Sequence, residues 1–224
     1  MLRTEFHCHT SYSKDSLTPP ARLVEACRRK GIERVIVTDH DTTAGAVIAR
    51  QVDPERVIVG EEIMTTRGEI LAAFVAEEIP PGLTPGETIR RLRAQGAFIS
   101  VSHPFDAMRK GGWREADLLE IAPLVDAIEV FNSRCVRPVY NRRAARFAAE
   151  HGLPGTVGSD AHAPLELGRS VLLLDAFTDA DGLRGVIRGG RARAQLSPPW
   201  FHLISRYAKV RKQINKWLDT AGRA

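Results

Sequence analysis

Imidazole and carboxylate groups cluster in short runs along this chain. They are His7-Cys8-His9 with Asp15 beyond it, Thr38-Asp39-His40-Asp41, Gly60-Glu61-Glu62, Ser102-His103-Pro104 and Ser159-Asp160-Ala161-His162. Both side-chain types hold Zn²⁺, Mn²⁺ or Fe²⁺ at hydrolytic centres. In an extended backbone residues i and i+2 point to the same side, so His7 converges with His9, and Asp160 with His162. A carboxylate standing between sets of imidazoles can bridge two ions. A single run is weak evidence, since His40 alone, or His103 before proline, reads more readily as a hydrogen-bonded structural histidine. All of them together, each following an apolar segment, are hard to obtain by chance and point to a metal centre. His151 and His202 fall outside this pattern and read as structural. Asp39 and Asp41 read as partners that orient ligand imidazoles, and Ser11, Ser13 and Ser159 as loop and turn residues.

The apolar segments that must position these groups are short and β-branched: 2–6, 34–38, 57–59, 98–101, 127–131, 155–158 and 171–174. They read as strands. Helical patterns lie between most of them. Thr18-Pro19-Pro20 puts a capping hydroxyl and prolines ahead of Leu23, Val24, Ala26 and Cys27. Thr84-Pro85-Gly86-Glu87 is a capping box opening a helix through Leu92 and Ala94, and 137–150 and 179–189 read as further helices. Residues 61–76, with Arg67-Gly68 inside, read as a hairpin inserted after the third strand. Buried strands alternating with helices predict an α/β fold with a parallel sheet, and about seven units predict a β/α barrel whose strand ends open on one face. No glycine-rich phosphate loop follows the first strand. Residues 1–197 form the predicted barrel domain. Residues 198–224 form a separate segment after Pro198-Pro199, with Trp200, Leu203, Ile204, Tyr207, Val210, Ile214, Trp217 and Leu218 at helical spacing. That apolar stripe predicts a basic amphipathic C-terminal helix packed on the barrel or on a partner subunit, in preference to membrane, with nucleic acid third.

Composition narrows the classes. The 224 residues are 43% hydrophobic and 26% charged, which suits one core-bearing domain and excludes wholesale disorder. The apolar runs fall far short of the ~20 residues that span a bilayer, and Arg3 and Glu5 interrupt any leader. Cys8, Cys27 and Cys135 form no C-x-x-C pair and suit a reducing compartment. A soluble cytoplasmic protein is expected. The net charge of +5 arises after Pro198, where Arg206, Lys209, Arg211, Lys212, Lys216 and Arg223 face only Asp219. The 26 basic and 26 acidic residues before it balance, so the body carries no electrostatic footprint for nucleic acid.

The motifs His7-Cys8-His9-Thr10-Ser11-Tyr12-Ser13-Lys14-Asp15-Ser16, Thr38-Asp39-His40, Gly60-Glu61-Glu62-Ile63, Ser102-His103-Pro104 and Ser159-Asp160-Ala161-His162 resemble, in order, those of the PHP (polymerase and histidinol phosphatase) family. The resemblance covers residues 1 to about 175. It implies a distorted seven-stranded β/α barrel and a site of two or three divalent ions, Zn, Mn or Fe, with Mg also admitted. By family pattern His7, His9, Glu62 and Asp160 hold one ion. Glu62 bridges to a second held by His103, and Asp15, His40 and His162 hold a third. Spacing leaves Glu61 and Glu62 both open as the bridge, with Glu62 the better match to the family. Some members carry a further histidine after the fifth strand, where this chain has Phe131-Asn132-Ser133-Arg134-Cys135. The second ion's shell is then left to water, Asn132 or Cys135, and Cys135 reads rather as a small buried filler. Asn-x-Arg at this place resembles members acting on nucleotides or other small phosphomonoesters, so Arg134 is expected to meet the phosphate. A guanidinium fork suits that task. Asn132, Lys14 and Arg169 are further candidate substrate contacts.

The expected activity is therefore hydrolysis of a small phosphomonoester, nucleotide-like or an amino-alcohol phosphate, by a hydroxide that adjacent dications activate. Two other readings compete. One is a polymerase-associated nuclease or proofreading module, against which the neutral body and the lack of a polymerase-sized region weigh. The other is a catalytically weak metal-binding interaction module, against which the full ligand set weighs. The expected partner is a small phosphorylated substrate, with no membrane span and with nucleic acid disfavoured. Self-association through the C-terminal helix is left open.

Overall fold

The structure, a computed structural model, describes residues 1–109 and 111–221, apart from the side chains of Asp219 and Ala221. Arg223 of the basic tail lies outside the described residues. Strands β1 (Leu2–Glu5), β2 (Arg34–Val37) and β3 (Val57–Met64) run parallel. β4 (Glu69–Ala73) turns back antiparallel on β3 and pairs antiparallel with β5 (Phe98–Val101). β6 (Ala127–Asn132) and β7 (Gly155–Gly158) continue parallel to β5. The ring then closes on itself: the His9 N–H donates to Ala161 O at 2.8 Å and the Ala161 N–H to His7 O at 3.3 Å. These seven strands make the barrel, while β8 (Ser170–Leu174) and β9 (Arg191–Ala194) extend the sheet to nine strands along the outer edge of β1.

Strand membership differs from the sequence expectation at two places. The segment 171–174 lies outside the ring, and the return arm of the 61–76 hairpin takes the vacant place. A tight turn explains this, since Thr65 N–H and Oγ–H both donate to Gly68 O, at 3.0 and 2.6 Å. The all-buried β4 is thereby delivered alongside β5.

Outside the ring lie α1 (Pro20–Arg29), α2 (Ala44–Val52), α3 (Pro85–Ala94), α4 (Glu115–Ile121) and α5 (Pro138–Glu150). Thr84 caps α3 as its capping box predicts, accepting from Glu87 N–H at 3.3 Å. Thr18 does not cap α1. Its hydroxyl donates instead to His162 O at 3.2 Å, tying the helix approach to the last strand end. Strand alternation divides the core, with Val35 and Val37 facing the helices and Ile36 facing the interior beside Phe6 and Phe98. α6 (Ala180–Val186) plugs the end where the strands begin, Leu183 packing there with Phe177. Apolar packing thus fills one end of the barrel and leaves the other to polar groups.

Helix α7 (Phe201–Ala221) lies against that polar end, but by a different face from the one its pattern predicts. Arg134 donates to Phe201 O at 3.3 Å and Ser205 Oγ at 2.7 Å, while Lys212 donates to the carbonyls of Ser11 and Ser13. Phe201 and Ala208 are buried. The apolar stripe, which the sequence reading placed against protein, faces solvent: Trp200, Leu203, Tyr207, Val210, Ile214, Trp217 and Leu218 are all 51–68% exposed. Charge-assisted bonds from Arg134 and Lys212 hold the polar side inward. No described helix is long and apolar enough to cross a membrane.

Candidate metal centre

The imidazoles and carboxylates meet where the parallel strands end. His7 Nε2 lies 3.2 Å from Glu62 Oε2 and 3.6 Å from Asp160 Oδ1. His9 Nε2 is 3.1 Å from the same Asp160 oxygen and 3.5 Å from Glu62 Oε2. His103 Nε2 reaches the other Glu62 oxygen at 3.1 Å. Asp15 stands between His162 (3.3 Å) and His40 (3.5 Å), and His40 Nδ1 is 3.1 Å from Glu62 Oε2. All eight ligand candidates, His7, His9, Asp15, His40, Glu62, His103, Asp160 and His162, are thus one contiguous cluster. Glu62 is its centre. Glu61 points out of it and accepts from Ile79 N–H at 3.0 Å, as strand alternation requires.

The donor set suits divalent cations. Three groups of ligand atoms, His7/His9/Glu62, His9/His40/His162 and His40/Glu62/Glu69, each lie within 4.8 Å of one another. Buried atoms aimed into the cluster, His7 Nε2, Glu62 Oε2 and Asp15 Oδ1, have no hydrogen-bond partner. Buried carboxylates at this density require compensating positive charge. Burial opposes protonation of His40, yet Glu62 and Asp15 raise its pKa to about 9. Burial, together with the Arg134 and His9 charges, brings His162 down to about 3. Burial and the Glu62 charge raise Glu69 above the usual carboxylate range. Burial alone would raise Asp160, but Arg109 and His7 hold it well below its ordinary value.

A second layer of groups aims these ligands. Asp39 accepts from Thr10 N–H (2.6 Å) and Ser13 Oγ–H (2.9 Å), and Ser13 Oγ lies 3.0 Å from His9 Nδ1. Asp39 therefore acts on His9 through Ser13. Asp41 does not orient an imidazole; it accepts from Met64 N–H at 2.8 Å. Glu5 accepts from Ser159 N–H (2.8 Å) and Gly168 N–H (2.9 Å), bracing the turn that carries Asp160. Asp41, His103 and Asp160 hold positive φ angles of 56°, 23° and 51°, strain of the kind that concentrates at functional sites. Gly158 must lack a side chain, because a Cβ there would collide with His7 and the Glu129 carboxylate.

The other candidate residues lie at varying distances from the cluster. Arg134 is only 3% exposed and its Nη2 is spent on α7. Its Nε stands 3.6 Å from Glu166, and Nε and Nη1 have no hydrogen-bond partner. Arg169 donates to Leu196 O at 2.6 Å and lies over the Phe201 ring, away from the cluster. Lys14 is exposed, with no contact to the cluster among the described residues. Asn132 does reach it: Nδ2 donates to Asp160 Oδ2 at 3.2 Å and Glu129 Oε2 at 3.1 Å. Cys135 is a buried thiol whose pKa burial pushes up, which suits a filler better than a thiolate ligand. His151 packs on Phe147. His202 is half-buried near Arg134 and Arg109, which with burial lower its pKa.

Sequence reasoning missed Glu69, Glu129, Arg109 and Lys209. Glu69 stands 3.5 Å from His103 and 3.6 Å from His40. Glu129 accepts from His103 N–H at 2.7 Å and lies 3.0 Å from His7 Nδ1. Arg109 pairs with Asp160 Oδ2 at 2.5 Å, and Lys209 of α7 approaches Asp15 at 4.0 Å. Alternation could have found Glu129, which stands between apolar neighbours on β6; nothing local marked Glu69 or the two cations.

Residues 5–73 match the family model described as PHP domain, and residues 138–192 the one described as PHP-associated. An uncharacterized protein of Methanocaldococcus jannaschii is 37% identical over 146 residues, covering 59% of this chain and 82% of that protein. Among solved structures, a protein of Bifidobacterium adolescentis assigned as a metal-dependent phosphoesterase aligns with TM-score 0.62 at 20% identity. That match covers 81% of this chain and 94% of the other. The lesion-specific endonuclease of Pyrococcus furiosus aligns with TM-score 0.57 at 17% identity, covering 85% of this chain and 57% of the endonuclease. At these identities the two structures share the fold.

Proposed function

Because the chain belongs to the PHP family, we propose that it is a metal-dependent phosphoesterase acting on a small phosphomonoester. The observation that carries this reading is the convergence of eight imidazole and carboxylate ligands on Glu62 with partnerless atoms pointing inward. In this reading His7, His9, Glu62 and Asp160 hold one ion, Glu62 and His103 a second, and Asp15, His40 and His162 a third. Glu69 supplements the shell of the second. Bound divalent ions supply positive charge for phosphoryl oxygens and bring the pKa of water toward neutrality.

The chain's own residues do the rest. Glu129 and Ser13 fix the rotation of His7 and His9. Arg109, held at the rim by Asp160 and Asp106, presents its guanidinium to the phosphate, sharing the role expected first of Arg134 and then of Lys14 and Arg169. A planar fork matches phosphate oxygens. Arg134 keeps Nη1 as a second donor close to His162, and Asn132 steadies Asp160 from the side. Helix α7 crosses the mouth from Arg134 to Ser11, bringing Lys209 over Asp15. A roofed mouth with extra cations favours a compact anionic substrate over a duplex.

A panel of phosphomonoesters and lesion-containing oligonucleotides, assayed after chelation and reloading with Mn²⁺, Zn²⁺ or Mg²⁺, tests this reading. Metal-restored turnover of phosphomonoesters supports it. Turnover of oligonucleotides alone, or turnover indifferent to chelation, overturns it.

A further inference from the structure

Helix α7 presents its apolar stripe outward. Trp200, Leu203, Tyr207, Val210, Ile214 and Trp217 follow one another at alternating spacings of three and four residues, so they form one continuous line along the helix. All are more than half exposed. The opposite face is fastened by Arg134, by Lys212 and by the burial of Phe201 and Ala208. The helix therefore cannot roll its stripe inward without breaking charge-assisted bonds. A row of large apolar side chains of this extent marks an interaction surface.

Charge selects the occupant. Residues 201–218 contain Arg206, Lys209, Arg211, Lys212 and Lys216 and no acid. Arg206 and Arg211 flank the stripe on its two sides. A second copy docked stripe to stripe would set arginine against arginine, parallel or antiparallel, with no acidic residue between 201 and 218 on either helix to answer it; matched pairs are what such positions need. An anionic lipid surface answers both features. Tryptophan and tyrosine sit at the interface, aliphatic side chains enter the acyl boundary, and the flanking Arg206 and Arg211 meet headgroups. We propose that α7 seats the protein on the surface of an anionic bilayer, with the metal centre held on the helix's other side.

The full chain should sediment with vesicles of equimolar phosphatidylglycerol and phosphatidylcholine and not with phosphatidylcholine alone, and binding should weaken as salt screens the cations. Of the three tryptophans only Trp113 is buried, so a blue shift of fluorescence on vesicle addition reports Trp200 and Trp217. The double variant Leu203→Ser/Trp217→Ser should lower partitioning by about tenfold or more while leaving turnover of a soluble phosphomonoester unchanged. Absence of vesicle binding overturns the proposal. So does a stripe-dependent dimer, seen by light scattering and abolished by the same variant.

Discussion

Glu129 Oε1 lies 3.0 Å from His7 Nδ1, both fully enclosed. An ionised carboxylate only accepts, so Nδ1 carries a proton and Nε2 is the atom aimed at Glu62 and Asp160, where it would hold a metal ion. The relationship fixes both tautomer and rotation of the first ligand on the chain. Glu129→Gln should accordingly weaken metal affinity by about 10- to 100-fold. Calorimetric titration of stripped protein with Mn²⁺ or Zn²⁺ measures it, and an unchanged affinity would detach Glu129 from the centre.

Among the described residues Arg109 is the permanent cation nearest the ligands, 2.5 Å from Asp160. Arg109→Ala should lower kcat/KM across all phosphomonoesters by about a hundredfold, the scale of a lost transition-state donor, and Arg109→Lys should recover only part. Metal content should persist in both variants. Wild-type kinetics would return the phosphate contact to Arg134.

Glu61 supplies a pH test separate from catalysis. Burial raises its pKa from 4.5 to about 8, and only the Ile79 amide answers it. The folded state then binds a proton that the unfolded state releases, so this contribution is whole below pH 4.5 and is lost as pH rises to about 8. Glu61→Gln should flatten the fall in thermal stability across that window and gain on the order of a few kcal/mol at its upper end. Equal pH slopes for variant and parent, each measured in chelator, would refute the assignment.

The ligands were legible in the sequence because strand geometry is local. His7 with His9 needed only the period of two, and capping chemistry marked α3; Asp160 and His162 were found as a pair, yet they converge past the end of β7 through the positive φ of Asp160 rather than along an extended strand. What escaped depended on contacts far apart along the chain. Glu69 becomes a neighbour of His103 only because β4 takes the ring position expected of residues 171–174. Periodicity told which α7 residues share a face, but which face docks was decided by Arg134, Ser11 and Ser13, residues remote in sequence. Arg134 shows the same limit: its guanidinium was legible in the sequence, but not that its Nη2 would be taken by Phe201 and Ser205 of the helix.

Elemental analysis of protein purified without chelator, run beside its Asp160→Asn variant and a phosphomonoester assay, tests the central claim most directly. The overlapping ligand groups predict two or three equivalents of divalent metal in the parent. They also predict loss of metal and of turnover by at least about a hundredfold in the variant, with an unchanged circular dichroism spectrum. Less than one equivalent with no gain on adding Mn²⁺ or Zn²⁺, or parental turnover in Asp160→Asn, would contradict it.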